Sequence, residues 1–100
     1  MNYGTIIKHI RKDILNLNQN EFAENIGITQ TYLSQLEGNK KTPSTQVLEN
    51  ISSQSKYPMS VLLWLSMTEE DVPKSRVEFF RAIKTSCDNL IKSFFEEPLA

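Results

Sequence analysis

Apolar residues recur at helical spacing along the whole chain. Near the N-terminus, Ile6, Ile7, Ile10 and Ile14 lie three or four residues apart, which predicts a first helix over about residues 4–15. Alternation of apolar and polar residues with period two is absent over any useful length, and the β-branched residues do not cluster. The pattern therefore predicts an all-α fold.

The second predicted helix has a complete start signal. Asn18 is a preferred N-cap residue, and Glu21 three positions later forms a capping-box pattern with it. Leu17 and Phe22 have the spacing of a hydrophobic staple. Gly27 then ends the helix, because glycine tolerates the left-handed backbone found there.

The third predicted helix begins only two residues later, with Thr29 as its N-cap and Ile28 and Leu33 as its staple. Its apolar face carries Ile28, Leu33 and Leu36. Its other face is polar and consists of Gln30, Thr31, Ser34 and Gln35. Two short helices joined by a turn that opens with glycine are typical of a helix-turn-helix unit.

Three further helices follow a basic loop at 40–43. Ser44 caps the fourth helix, Pro58 starts the fifth at its first position, and the last runs over about residues 74–95. An acidic run that ends in Pro73 separates the last helix from the others. We therefore expect a helix-turn-helix domain at 1–68 and a C-terminal helical extension at 69–100.

Composition limits the class of protein. One hundred residues suffice for one domain, and the net charge of −1 excludes a globally basic nucleic-acid binder but not a local basic patch. The single cysteine, Cys87, cannot form an internal disulfide, which favours a reducing, cytoplasmic location. The longest apolar run, 61–65, is far shorter than a membrane span, so we expect no membrane association.

The segments 7–11, 17–23 and 27–37, together with Pro43-Ser44, closely resemble the Cro/CI-like (XRE-type) helix-turn-helix family. The resemblance covers about residues 4–66 and implies a five-helix, lambda-repressor-like fold, here with one additional C-terminal helix. The link between the first two helices is one residue longer than the family's common pattern. The order Glu37-Gly38-Asn39 also moves the expected left-handed residue at the end of the third helix.

The resemblance implies roles for individual residues. Gln19 corresponds to a phosphate-binding position, and Arg11 and Glu37 to a structural ion pair between the first and third helices. The base-reading positions, to which the residue chemistry adds Ser34, are Gln30, Thr31, Ser34 and Gln35. The phosphate-binding set is completed by Tyr32, Asn39, Lys40, Lys41 and Thr42, with packing an equal alternative for Tyr32.

These features predict a sequence-specific transcriptional regulator of double-stranded DNA, a repressor that binds a palindromic operator as a homodimer. The alternative is an antitoxin-like or other protein-interaction module of the same fold, with a toxin or another regulator as its partner. The polar face of the third helix carries no acidic residue before Glu37, which favours DNA.

The last helix carries an apolar stripe at heptad spacing. Because an isolated helix of this length is marginal, the stripe must be covered, either by 61–65 of the same chain or by a second chain. We favour a second chain, since two half-sites need a two-fold axis. The expected dimerisation residues are Phe80, Ile83, Leu90 and Phe94.

Evidence for catalysis is weak. Cys87 and His9 have no metal-ligand or catalytic spacing, and we interpret Cys87 as a small core residue and His9 as a solvated one. We therefore expect no enzyme activity, no catalytic residue, no metal and no cofactor.

Overall fold

The structure is a computed structural model that describes residues 1–96, and these residues form six α-helices with no strand among them. The all-α prediction is confirmed. The helices are α1 (Tyr3–His9), α2 (Gln19–Ile26), α3 (Gln30–Glu37), α4 (Thr45–Ser55), α5 (Met59–Ser66) and α6 (Val77–Glu96).

The first helix differs from the prediction at its C-terminal end. The α-helical pattern stops at His9, and a π-helical turn spans Ile10–Ile14, closed by a bond from the Leu15 N–H to the Ile10 carbonyl. A π turn holds about one residue more than an α turn. It therefore accommodates the extra residue in the link to α2, which helical periodicity alone could not reveal.

The helix-turn-helix unit has the predicted boundaries. The Asn18 side chain accepts a hydrogen bond from the Glu21 N–H at 2.8 Å, and Gly27 is left-handed with φ of 76°. The Thr29 side chain accepts from the Tyr32 N–H at 3.1 Å, at the start of α3. These caps satisfy backbone donors that helix starts leave free, so the local sequence sets both boundaries.

The caps of the next two helices agree with the prediction at Ser44 and differ at Pro58. Ser44 accepts a bond from the Val47 N–H at 3.2 Å. Pro58 is the N-cap of α5 rather than its first residue, because its ψ of 152° is extended. Its carbonyl still accepts from the Leu62 N–H at 3.1 Å, so the helix begins one residue later.

The five short helices enclose one apolar core. Its fully buried side chains come from every one of these helices, from the π turn and from the link between α4 and α5, and each aliphatic or Phe side chain stabilises the fold by about 1.5–3 kcal/mol. They are Ile7, Ile10, Phe22, Ile26, Leu33, Leu36, Ile51, Tyr57 and Leu62. The staple residues Leu17 and Ile28 pack against this core from its edge.

The C-terminal helix α6 lies against its own chain. Phe80 meets Trp64 edge-on, with 6.0 Å between ring centroids, and Phe95 contacts Tyr57 at 5.3 Å. The Lys84 ammonium donates to the Trp64 carbonyl at 2.8 Å. Short 3-10 turns at Glu69–Asp71 and Lys74–Arg76 connect α5 to α6.

The stripe predicted on the last helix divides into two adjacent faces. Phe80, which we expected in a dimer interface, is only 7% exposed and is covered by its own chain. In contrast, Leu90 and Phe94 are both 73% exposed, and Ile83 is half-buried between the two faces. A second chain is therefore not needed to cover Phe80, whereas Leu90 and Phe94 have no cover within residues 1–96.

His9 is not the solvated residue we expected. Its Nδ1 lies 2.8 Å from an Asp13 carboxylate oxygen and its Nε2 lies 2.6 Å from a Glu96 oxygen. The end of α6 is thereby tied to α1. Burial, with the Glu96 carboxylate as a second cause, raises the pKa of the Tyr57 hydroxyl beside this contact.

Gly4 allows α1 to cross the end of α3 at close range. A Cβ at this position would overlap the Glu37 carbonyl oxygen and lie 2.8 Å from that of Leu36. We expect Gly4→Ala to lower the free energy of unfolding by about 1–3 kcal/mol, because the helices must separate. Urea denaturation measures this loss.

The matched control is Gly38→Ala. Gly38 has a φ of −86°, and its added Cβ would meet neighbours no closer than 3.4 Å. This variant should stay within about 0.5 kcal/mol of the natural chain. Equal losses in both variants would contradict a steric role specific to Gly4.

Candidate nucleic-acid interface

The outward face of α3 is polar and accessible. Gln30, Thr31 and Ser34 are exposed, and Gln35 is half-buried beside them. The opposite side of α3 is fixed by Leu33 and Leu36, both fully buried. The structure therefore presents all four predicted base-reading residues on one helix whose orientation the core determines.

A hydrogen-bonded network lies beneath this face. The Arg11 guanidinium makes two bonds to the Glu37 carboxylate, from Nε at 2.6 Å and from Nη2 at 3.0 Å. Its Nη1 donates to the Leu17 carbonyl at 3.0 Å. The side chains of Arg11 and Glu37 are 10% and 5% exposed. The predicted ion pair thus forms, and Arg11 joins α3 to the π turn and, through the Leu17 carbonyl, to the link before α2.

The network reaches the recognition face through Gln19. Its Nε2 donates to Glu37 at 3.1 Å, and its Oε1 accepts from the Gln30 Nε2 at 2.7 Å. With the amide orientations that these bonds assign, one N–H and the Oε1 of Gln30 make no bond to residues 1–96. Gln30 is therefore held in place with a donor and an acceptor still available.

The loop after α3 combines exposed cations with a backbone that is hydrogen-bonded to the end of α3. Lys40, Lys41 and Thr42 are exposed. The Lys40 N–H donates to the Gln35 carbonyl at 2.9 Å, and Asn39 adopts the left-handed backbone with φ of 57°. The left-handed residue predicted to move beyond Gly38 is therefore Asn39.

The side chain of Asn39 has a structural role that the sequence analysis missed. Its Oδ1 accepts from the Gly4 N–H at 2.9 Å, and its Nδ2 donates to the Asn2 Oδ1 at 2.7 Å. The structure thus uses this amide to cap α1, and one Nδ2 hydrogen of the exposed side chain takes no part in these bonds. No local signal could show this, since the two asparagines are 37 residues apart in sequence.

Tyr32 is half-buried and packs against the edge of the core. This position is compatible with the packing role that we considered for it. Within the part of the chain that the structure describes, no cluster of three His, Cys, Asp or Glu side chains could hold a metal ion. No helix among residues 1–96 is long and apolar enough to cross a membrane.

The buried ion pair generates a stability prediction. Glu37→Gln leaves the Arg11 charge buried without a counterion, so we expect the free energy of unfolding to fall by about 3 kcal/mol. The control is Glu69→Gln, which breaks the exposed Arg81–Glu69 pair, in which the side chains are 63% and 48% exposed. It should leave the urea midpoint nearly unchanged. A similar midpoint shift in both variants would show that the buried Arg11–Glu37 pair affects stability no more than the exposed pair does.

Comparisons with known proteins agree with this geometry. Residues 7–61 match the helix-turn-helix family. The chain is 38% identical over 69 residues to the ImmF control region 10 kDa protein of Bacillus phage phi105, a match that covers 69% of this chain and 72% of the phage protein. No solved structure matches the chain. The chain therefore belongs to the Cro/CI-like (XRE-type) helix-turn-helix family of DNA-binding transcriptional regulators.

Proposed function

We propose that this regulator is a repressor that recognises a palindromic operator as a homodimer. The observation that carries the proposal is the polar face of α3, anchored from below by the core and by the network from Arg11 to Gln30. An α-helix fits the DNA major groove, which is about 12 Å wide. The control-region name of the phage relative supports a regulatory role.

Base reading follows from the side-chain chemistry of α3. The amides of Gln30 and Gln35 offer a donor and an acceptor to adenine N6 and N7. Thr31 and Ser34 are short hydroxyl side chains that can hydrogen-bond to either type of base edge, and the Thr31 methyl can contact a thymine methyl. The Gln30 amide is oriented by its hydrogen bond to Gln19.

Phosphate binding is assigned to residues at both ends of this face. Lys40, Lys41 and Thr42 extend from the loop after α3, and Gln19 opens α2, where free backbone N–H groups favour an anion. These contacts would fix the register of α3 in the groove without reading sequence.

The need for a dimer follows from charge. The chain has a net charge of −1, so one copy has few cations to neutralise phosphates and should bind weakly. Two copies on half-sites about 34 Å apart double both the phosphate and the base contacts. A protein held in this way on an operator blocks access to the promoter, which is the physical basis of repression.

The proposal is tested by a gel shift with DNA from upstream of the chain's own gene, over a salt series. We expect a shift at low salt that weakens steeply as salt rises. Failure to bind this DNA, together with capture of a protein partner, would favour the protein-interaction alternative.

Replacing the base-reading amides should reduce specificity. Gln30→Ala and Gln35→Ala should each weaken binding to the operator by about 1–3 kcal/mol, with little change on random DNA. Gln54→Ala on the exposed end of α4 is the control and should change neither affinity. Equal losses on operator and random DNA would remove these residues from base reading.

The loop lysines should act on every DNA sequence alike. Lys40→Ala or Lys41→Ala should weaken all binding and reduce the slope of log affinity against log salt by about one unit per lost phosphate contact. Arg81→Ala, which removes an exposed cation far along the chain, is the control. An unchanged slope in both loop variants would place the loop outside the interface.

A further inference from the structure

The outer face of α6 is uncharged along its length, and its large side chains are all apolar. Phe79, Leu90 and Phe94 are 64%, 73% and 73% exposed, and Ile83 lies half-buried between them. The remaining residues on this face are small and neutral: Ala82, Ser86 and Ser93. Water thus contacts a continuous apolar strip on a helix of 20 residues.

The two ends of this strip differ in shape. At the N-terminal end, Phe79 and Ile83 form one wall of an open apolar groove of about 320 Å³, whose other wall includes Trp64, Met67 and Val72. At the C-terminal end, Leu90 and Phe94 project from the surface. The Phe94 ring meets the Phe95 ring edge-on, with 4.9 Å between ring centroids.

Groove and projection fit each other if a second copy of α6 lies antiparallel. Along α6, the midpoint between positions 79 and 94 is the same as the midpoint between positions 83 and 90, just after Ser86. A two-fold axis there places Phe94 and Leu90 of each copy beside Phe79 and Ile83 of the other, at the groove. Ser86 lies close to the axis, where a small side chain lets the helices approach.

Charge selects the antiparallel arrangement over the parallel one. At the N-terminal end of α6, exposed Arg76 lines the groove and forms no ion pair within residues 1–96. The C-terminal end of α6 carries the negative end of the helix dipole, whereas the Glu96 carboxylate is already bonded to His9. Antiparallel packing brings these opposite ends together, whereas parallel packing would bring like ends together.

The exposed area is compatible with a reversible dimer. Since a large side chain buries roughly 150–250 Å², the three most exposed ones present on the order of 400 Å² per copy. A stable interface buries about 1,200–2,000 Å² in total, and the groove walls and small residues supply the remainder. Such an area indicates a dimer at the lower end of this size class.

We propose that the Phe79–Phe94 face of α6 is an isologous, antiparallel interface with a second copy of this chain, in which Leu90 and Phe94 of each copy occupy the groove of the other. The inference names the surface behind the proposed homodimer, and its use on an operator rests on the proposed function. Association in the absence of DNA tests the interface by itself.

The first experiment is sedimentation velocity of the full chain without DNA. The natural chain should sediment with twice its 11.5 kDa mass at tens of micromolar. The Leu90→Glu/Phe94→Glu double variant should sediment as a single chain with unchanged far-UV circular dichroism, because both side chains are exposed. The matched control, Thr85→Glu, changes an exposed residue on another side of α6 and should remain a dimer.

The second experiment tests the orientation by disulfide formation in a Cys87→Ser background. Ser86→Cys should cross-link two chains under mild oxidation, because position 86 lies beside the axis. Ala82→Cys should not, since the two copies of position 82 are about 13 Å apart along the helices at 1.5 Å per residue. Parallel helices would cross-link in both variants.

Three results would overturn the inference: a natural chain that stays monomeric at several hundred micromolar, a double glutamate variant that remains dimeric, or cross-linking in the Ala82→Cys variant. These results are separate from the proposed function. A dimer that ignores DNA leaves the interface intact and removes the operator proposal. A chain that is monomeric without DNA but still binds the DNA removes this interface and leaves only the DNA-binding part of the proposed function.

Discussion

The buried ion pair between Arg11 and Glu37 is the interaction on which the rest of the DNA-binding face depends. Its two hydrogen bonds join the end of α3 to the turn that follows α1, in a place where both side chains are almost completely buried. A buried pair of this kind gains little net stability, because desolvation opposes the attraction. Its effect is positional: the Glu37 carboxylate also binds Gln19, and Gln19 binds Gln30.

The network from Arg11 to Gln30 links the core to the polar face of α3 through side chains that have few alternative partners. If α3 rotated, Glu37 would leave Arg11 with an unpaired buried charge. The same rotation would separate Gln19 from Gln30 and expose Leu33 and Leu36. The recognition helix is therefore fixed by three sets of contacts. Because its side chains are already ordered, binding to DNA loses less conformational entropy than it would with a flexible helix.

The two adjacent faces of the C-terminal helix α6 have different roles. One face covers Trp64 and Tyr57 through Phe80 and Phe95, and the end of the helix is tied to His9. The adjacent face stays apolar without a cover in the described residues. Because the two faces are offset by a single residue position on the helix, one sequence stripe can stabilise the fold and still present an interaction surface.

The sequence by itself determined the elements that depend on neighbouring residues. The capping box at Asn18 and Glu21, the left-handed Gly27 and the Thr29 cap all formed as predicted, because their hydrogen bonds join residues a few positions apart. The polar face of α3 was also readable, since helical spacing alone places Gln30, Thr31 and Ser34 together. The Arg11–Glu37 pair came from the family resemblance and not from spacing.

Only the tertiary structure decided the features that join distant parts of the chain. The amide pair of Asn2 and Asn39, the position of His9 between two carboxylates, and the division of the α6 stripe all depend on how helices approach one another. A heptad pattern shows that a helix has an apolar side, but not which residues of that side meet their own chain. That choice follows from the rotation of α6 on the core, which Trp64 and Tyr57 set through packing and which no local sequence signal encodes.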